Sequence, residues 1–192
     1  MTTKYERFEV LGDSWTHIDD DEWDAQTFTP SVAHSITKVA LYMKRTGDSG
    51  NCIVSIRATD VDGKPTGEDL TSCTVDTAGW GNNTEGWKDF EFGTPIELSA
   101  GTKYAIVARG SFGTIGGDGI RWLVNSDGGY DDGCRAWGSD GVTWSLTADW
   151  DHNFQEWGDP LAAGPNQSLA ARMVAVGPVS YTHLTLPTIL LV

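Results

Sequence analysis

Ile36-Thr37-Lys38-Val39-Ala40-Leu41-Tyr42-Met43 is the stretch that decides the fold. Val39, Leu41 and Met43 fall on one side of an extended chain, and Lys38, Ala40 and Tyr42 on the other. Successive side chains of a strand point to opposite faces, so a period of two marks a strand with one face on a core. Residues 52–58 repeat the pattern, with Cys52, Val54, Ile56 and Ala58 set against Ser55 and Arg57. Residues 103–108 are almost continuously apolar, which predicts a central strand buried on both faces. Further strands are expected at 87–92, 120–124, 143–146 and 153–157. Between them lie turn formers: Asp60-Val61-Asp62-Gly63-Lys64-Pro65-Thr66-Gly67 reads as a hairpin connection, and Gly116-Gly117-Asp118-Gly119 and Asp127-Gly128-Gly129 as turns. Helical periodicity is nearly absent. Short strands punctuated this way predict an all-β protein, a two-sheet antiparallel β-sandwich rather than a barrel.

The 192 residues are enough for one ordinary domain with a short extension. The expected organisation is a lead-in over 1–24, the sandwich over 25–158, and a linker over 159–178 that carries the first strand of a further domain at 170–176. Residues 179–192 are expected to be non-native. Val179-Ser180-Tyr181-Thr182-His183-Leu184-Thr185-Leu186-Pro187-Thr188 matches the translation, in one frame, of a transposase-type sequencing adapter. Met1 to Val10 is polar and charged, without the apolar core of a secretory signal, and no apolar run is long enough to span a bilayer.

Charge narrows the partners. With 27 acidic residues against 13 basic ones, the formal charge is -14. Such a surface repels phosphate backbones and anionic lipid, so nucleic acid and membranes are disfavoured and a neutral ligand, a cation or a protein surface fits better. Cys52, Cys73 and Cys134 are an odd set without metal-ligand spacing. They are read as reduced, small apolar residues, with a Cys52–Cys73 pair across a hairpin as the alternative.

Several segments together resemble the jelly-roll β-sandwich modules appended to phage, bacterial surface and carbohydrate-active proteins. Gln26-Thr27-Phe28-Thr29-Pro30 followed by Ile36-Thr37-Lys38-Val39-Ala40-Leu41 looks like their opening strands. Val54-Ser55-Ile56-Arg57-Ala58-Thr59 with Gly63-Lys64-Pro65-Thr66-Gly67 and Leu70 looks like their central hairpin. Leu98-Ser99-Ala100-Gly101-Thr102-Lys103-Tyr104-Ala105-Ile106-Val107 is similar to the strand that follows. The resemblance implies the fold and leaves the ligand open, because one sandwich hosts many functions.

Nothing reads as a catalytic centre. There is no Gly-x-Ser-x-Gly elbow, His34 and His152 lie in no recognised motif, and no histidine pair has zinc spacing. Ser139-Asp140-Gly141-Val142-Thr143-Trp144 resembles an Asp-box hairpin with Asp140 and Trp144 one residue too close, and it is read as a turn. Binding chemistry is more legible. Sugar rings stack their C–H faces on aromatic side chains, and loops carry binding function. Tyr130, Trp137, Trp144, Trp150 and Trp157 lie among Asn125, Asp131, Asp132, Arg135 and Asp140. The expected ligand site is therefore Tyr130, Arg135, Trp137, Trp144, Asp131, Asp132 and Asn125, with each tryptophan also a candidate for core filler. No cofactor is implied beyond calcium, whose oxygen ligands acidic loops could supply. Its candidates are Asp127 with Asp131 and Asp132, then Asp19-Asp20-Asp21-Glu22, then Asp60 with Asp62. The leading expectation is a non-catalytic binding module for glycans, displayed on a larger protein at a virion or cell surface. Its rival is a structural domain of a phage virion (tail, fibre or capsid decoration) with no small ligand.

Overall fold

The computed structural model describes residues 1–47, 50–111 and 118–162. Among the described residues the chain forms β1 (Thr3–Phe8), β2 (Ser14–Ile18), β3 (Trp23–Phe28), β4 (His34–Thr46), β5 (Asn51–Thr59), β6 (Pro65–Asp76), β7 (Gly86–Leu98), β8 (Tyr104–Gly110), β9 (Gly119–Asn125), β10 (Arg135–Gly138), β11 (Ser145–Thr147), β12 (Asp151–His152) and β13 (Phe154–Pro160). One 3-10 turn, Thr77–Gly79, is the only helical element among them. The front sheet runs β1-β13-β4-β9-β12, with β7 also on β4 and β2 also on β9. The back sheet runs β11-β10-β3-β8-β5-β6. All strand pairings are antiparallel and the two sheets pack face to face, so the protein is an all-β sandwich.

The alternating stretches land as their period dictates. Val39, Leu41 and Met43 of β4, Cys52, Val54 and Ile56 of β5, and Ile106 and Ala108 of β8 are all fully buried in one core with Phe28, Phe90, Trp122 and Phe154. Strand β8 is central, between β3 and β5, and buried on both faces. Ala105 and Val107 point away from the main core into a second apolar cluster with Ala25, Ala136 and Trp144. That cluster exists because the β10–β11 connection folds back over the back sheet. Asp140 shapes this turn: its Oδ1 accepts from the Val142 and Thr143 amides at 2.9 and 2.6 Å, and its Oδ2 accepts from the Thr143 hydroxyl. The turn expected there is a turn. Gly141 in it has φ +69°, and a Cβ at this position would come within 2.4 Å of the Trp23 ring.

The domain boundaries differ from the sequence expectation. Residues 1–24 are no lead-in: β1 and β2 are strands of the front sheet, and Met1–Leu161 form one unit. They escaped notice because their inward positions include the polar Glu6 and Thr16, which blur the alternation. At the other end, β13 continues through Pro160, into the segment expected to be linker. The expected strand at 170–176 and the non-native segment 179–192 lie outside the described residues. All three cysteines are free; Cys52 lies opposite Val75 and Cys73 opposite Val54, so the two do not face each other.

Asn153 is the joint that positions the site. The chain passes from β12 on β9 to β13 on β4 at this residue, which is fully buried. Its carbonyl accepts from the Tyr42 amide and from Trp122 Nε1, and its amide donates to the Leu123 carbonyl. Its side chain donates to the Phe8 and Val10 carbonyls at 3.2 and 2.7 Å and accepts from the Gly12 amide at 3.0 Å. A buried amide with every group satisfied fixes its surroundings, because each lost bond would strand a polar atom away from water. Here it fixes the β1–β2 connection, and with it the place where β2 lies along β9.

Candidate functional site: an aromatic cleft at the sheet edge

Strand β2 borders the front sheet and β10 lies near the margin of the back sheet, and between them opens a cleft of about 780 Å³. Ala136 of β10 is buried in the outer cluster, so its neighbours Arg135 and Trp137 face the opposite side, toward the cleft. Trp15 and His17 of β2, Trp23 and Asp24 of β3, and Trp150 complete its principal walls. Four tryptophans thus converge on one open space. Trp137 is 47% exposed, too much for core filler, while the other three are half-buried.

The floor is a polar pair held rigidly. Arg135 Nε donates to Asp24 Oδ1 at 2.7 Å and Nη2 donates to Oδ2 at 3.2 Å, a two-pronged contact that fixes the plane of the guanidinium. The same guanidinium carbon lies 5.4 Å from the Trp150 ring centroid and 5.9 Å from that of Trp137. Asp24 is backed by His152, whose Nε2 lies 3.3 Å from Oδ1 and whose ring stacks on Trp122 at 4.0 Å. Trp23 is clamped from behind: the Arg109 and Arg57 guanidinium carbons lie 4.9 and 5.4 Å from its ring centroid. Both arginines bind Asp69, Arg57 Nε at 2.7 Å and Arg109 Nη2 at 2.5 Å. Burial alone would raise the Asp69 pKa, but these hydrogen bonds and charges outweigh it and hold it below the ordinary carboxylate value.

Several donors in the cleft are uncommitted. Among the described residues, Arg135 Nη1, the Arg121 guanidinium and the indole N–H groups of Trp15, Trp137 and Trp150 have no hydrogen-bond partner within the chain. Asp19, Asp21, Glu22 and Asp24 line the space against two arginines, so its balance is acidic. Flat apolar faces beside free N–H donors and carboxylate acceptors suit a polyhydroxylated, uncharged ligand.

The expected site residues separate into three fates. Arg135 and Trp137, with Trp150 beside them, lie in the cleft. Trp144 does not: it is 4% exposed in the outer cluster, edge-on to Trp23 at 6.4 Å, because the back sheet needs a lid over Ala105 and Val107. Asn125 ends β9, Tyr130, Asp131 and Asp132 belong to the β9–β10 loop, and none of them lines the cleft. Tyr130 packs edge-on against Phe154 at 5.1 Å and donates its amide to Asp151 Oδ2, and burial pushes its phenol pKa up. Asn125 Oδ1 accepts from the Asp127 amide, and the Asp132 carbonyl accepts from the Thr29 hydroxyl. Trp157 lies on the front sheet between the ammonium groups of Lys4 and Lys38, each 5.0 Å from its ring.

The calcium candidates fare similarly. Among the described residues, the carboxylates of Asp127, Asp131 and Asp132 do not come close enough together to form a group that could hold an ion. Asp60 Oδ1 accepts from the Asp62 and Lys64 amides and shapes the β5–β6 hairpin. Among the described residues one group of potential metal ligands does converge, His17 with Asp19 and Glu22, on the cleft wall. The acidic run was visible in the sequence; His17 was missed because nothing showed that β2 turns straight into that run. No family model matches the chain, and no curated protein matches it in sequence.

Proposed function

We propose that this domain is a non-catalytic binding module whose ligand is a neutral glycan seated in the cleft between β2 and β10. The observation that carries the reading is the convergence of Trp15, Trp23, Trp137 and Trp150 around the Arg135–Asp24 pair. Sugar C–H faces stack on such rings, and the free Nη1 of Arg135 and the indole N–H groups are placed to meet hydroxyls. A pre-ordered guanidinium loses little freedom on binding, which favours affinity from few contacts. The resemblance to jelly-roll modules of carbohydrate-active and phage proteins agrees with this reading and with display on a larger assembly.

A glycan array probed with the full chain, followed by titration calorimetry of any neutral glycan that binds, tests it. Trp137→Ala should weaken binding by about 1 to 3 kcal/mol, a factor of about 5 to 150, with the melting temperature unchanged. Absence of any glycan signal from folded protein would overturn the reading and favour a structural virion domain that meets only protein.

A further inference from the structure

We infer that His17, Asp19 and Glu22 form a binding site for a divalent first-row transition-metal ion on the wall of the cleft. This goes beyond the glycan reading and does not depend on it.

The geometry begins with a turn. Asp19 directly follows β2, and its Oδ1 accepts from the backbone amides of Asp21 and Glu22 at 2.8 and 2.7 Å. This folds residues 19–22 back so that Glu22 returns beside His17. The side chain of Asp19 is 6% exposed, yet its second oxygen, Oδ2, accepts no hydrogen bond and faces His17 Nδ1 at 3.8 Å. That oxygen reaches the surface of the cleft, where a ligand can meet it.

The histidine supplies the rest. His17 Nε2 lies 3.3 Å from the Asp118 carbonyl oxygen, which can only accept, so the ring proton belongs on Nε2. With that proton alone, the ring presents the Nδ1 lone pair to two carboxylates, Glu22 Oε2 at 3.2 Å and Asp19 Oδ2 at 3.8 Å. Nδ1 and the two carboxylate oxygens thus face one common point, which a cation can occupy in place of a proton on Nδ1. A backbone carbonyl on the far nitrogen is also the arrangement that orients a metal-bound imidazole.

The spacing fits an ion. All three ligand atoms lie within 4.8 Å of one another. Metal–ligand bonds of about 2.1 Å in tetrahedral geometry put ligands about 3.4 Å apart, between the two distances found. An imidazole nitrogen among carboxylates favours Zn²⁺ or Co²⁺ over Ca²⁺ and Mg²⁺, which take oxygen. With three protein ligands, the ion keeps an open position on the cleft side.

Titration calorimetry of Zn²⁺ and Co²⁺ into the untagged, chelator-stripped full chain tests this, with Ca²⁺ in parallel. One equivalent of Zn²⁺ or Co²⁺ should bind, with little response to Ca²⁺. Glu22→Gln should weaken that binding at least tenfold, and His17→Gln should abolish it. The Glu22 side chain is 61% exposed, so its variant keeps the test valid even where His17→Gln fails to fold. Absence of one-to-one binding would overturn the proposal and leave His17 as an imidazolium donating to Glu22. Zn²⁺ binding that is equally tight in Glu22→Gln would place the ion elsewhere and also overturn it. Tight Ca²⁺ binding lost in Glu22→Gln would overturn the transition-metal assignment.

Discussion

Two regions of this domain carry the same kinds of residue and do opposite things. The β9–β10 loop, residues 126–134, holds an aromatic ring and three aspartates; residues 14–24 hold two tryptophans, five carboxylates and a histidine. The loop spends its polar groups inward. Ser126 donates from its amide and hydroxyl to Asp13, the Cys134 amide donates to Thr27 Oγ1 at 2.8 Å, and Tyr130 rests on Phe154. Gly133 runs so close to β3 that a Cβ there would lie 1.8 Å from the Thr27 carbonyl. Residues 14–24 instead line the open cleft and leave the Trp15 indole N–H unpaired, because they pass from one sheet to the other there. Composition alone does not make a site; uncommitted groups on a rigid edge do.

Substitutions sharpen this contrast, and the largest effect is expected where a tryptophan of the ligand-site reading turned out to be a lid. Trp144→Ala should cost about 3 to 5 kcal/mol, from lost burial and the cavity left over Ala105 and Val107. An unshifted denaturation midpoint would put Trp144 back among the ligand-binding residues. Gly141→Ala comes next, at about 1 to 3 kcal/mol, since it strains a backbone at φ +69° and drives a methyl into Trp23. Because Trp23 walls the cleft, glycan affinity should fall with stability in this variant, whereas Trp144→Ala only removes an edge contact with Trp23 and should lower affinity less than stability. Calorimetry beside chemical denaturation separates the two.

A subtler prediction concerns the footing of the β9–β10 loop. Tyr130 Oη donates to Glu6 Oε2 at 3.4 Å, and Glu6 lies beside a fully buried pair in which His34 Nε2 meets Glu156 Oε1 at 2.8 Å. Burial by itself lowers the His34 pKa, but hydrogen bonds to Glu156 and to the Val32 carbonyl and the charges of Glu156 and Glu6 raise it overall. Burial raises that of Glu156, which its bond to His34 only partly offsets. Both shifts favour holding the shared proton in the folded state. The His34 contribution is therefore present below the ordinary imidazole value of about 6.5 and is lost as pH rises through its raised folded value, and that of Glu156 is full below its ordinary value of 4.5 and is lost as pH rises through its own raised value. The denaturation midpoint should fall between pH 6 and pH 9, and His34→Gln should flatten that slope. Equal slopes in both proteins would remove the pair from the account. Smallest of all is the effect of Trp137→Ala on stability, expected within about 0.5 kcal/mol because the ring is nearly half exposed. A loss comparable to that of Trp144→Ala would show Trp137 to be core and erase the contrast.

The sequence by itself determined the fold class and most of the core. Val39, Leu41 and Met43, then Cys52, Val54 and Ile56, declare their shared face through a period of two, and the continuous apolar run of β8 declares a strand covered on both sides. That information is local, since a strand's alternation reports only whether each face meets water or protein. Of the site, Arg135 and Trp137 were legible as a forked donor and a ring next to turns, and the acidic run beginning at Asp19 as a cluster. Only the tertiary structure decided that Trp144 closes a second core, that Tyr130 leans on Phe154, and that Trp15, His17 and Trp23 join Arg135 across more than 100 residues of chain. Which face of an aromatic ring stays wet depends on where the other sheet ends, and the edge of a sheet is a property of strand order, which no local pattern encodes.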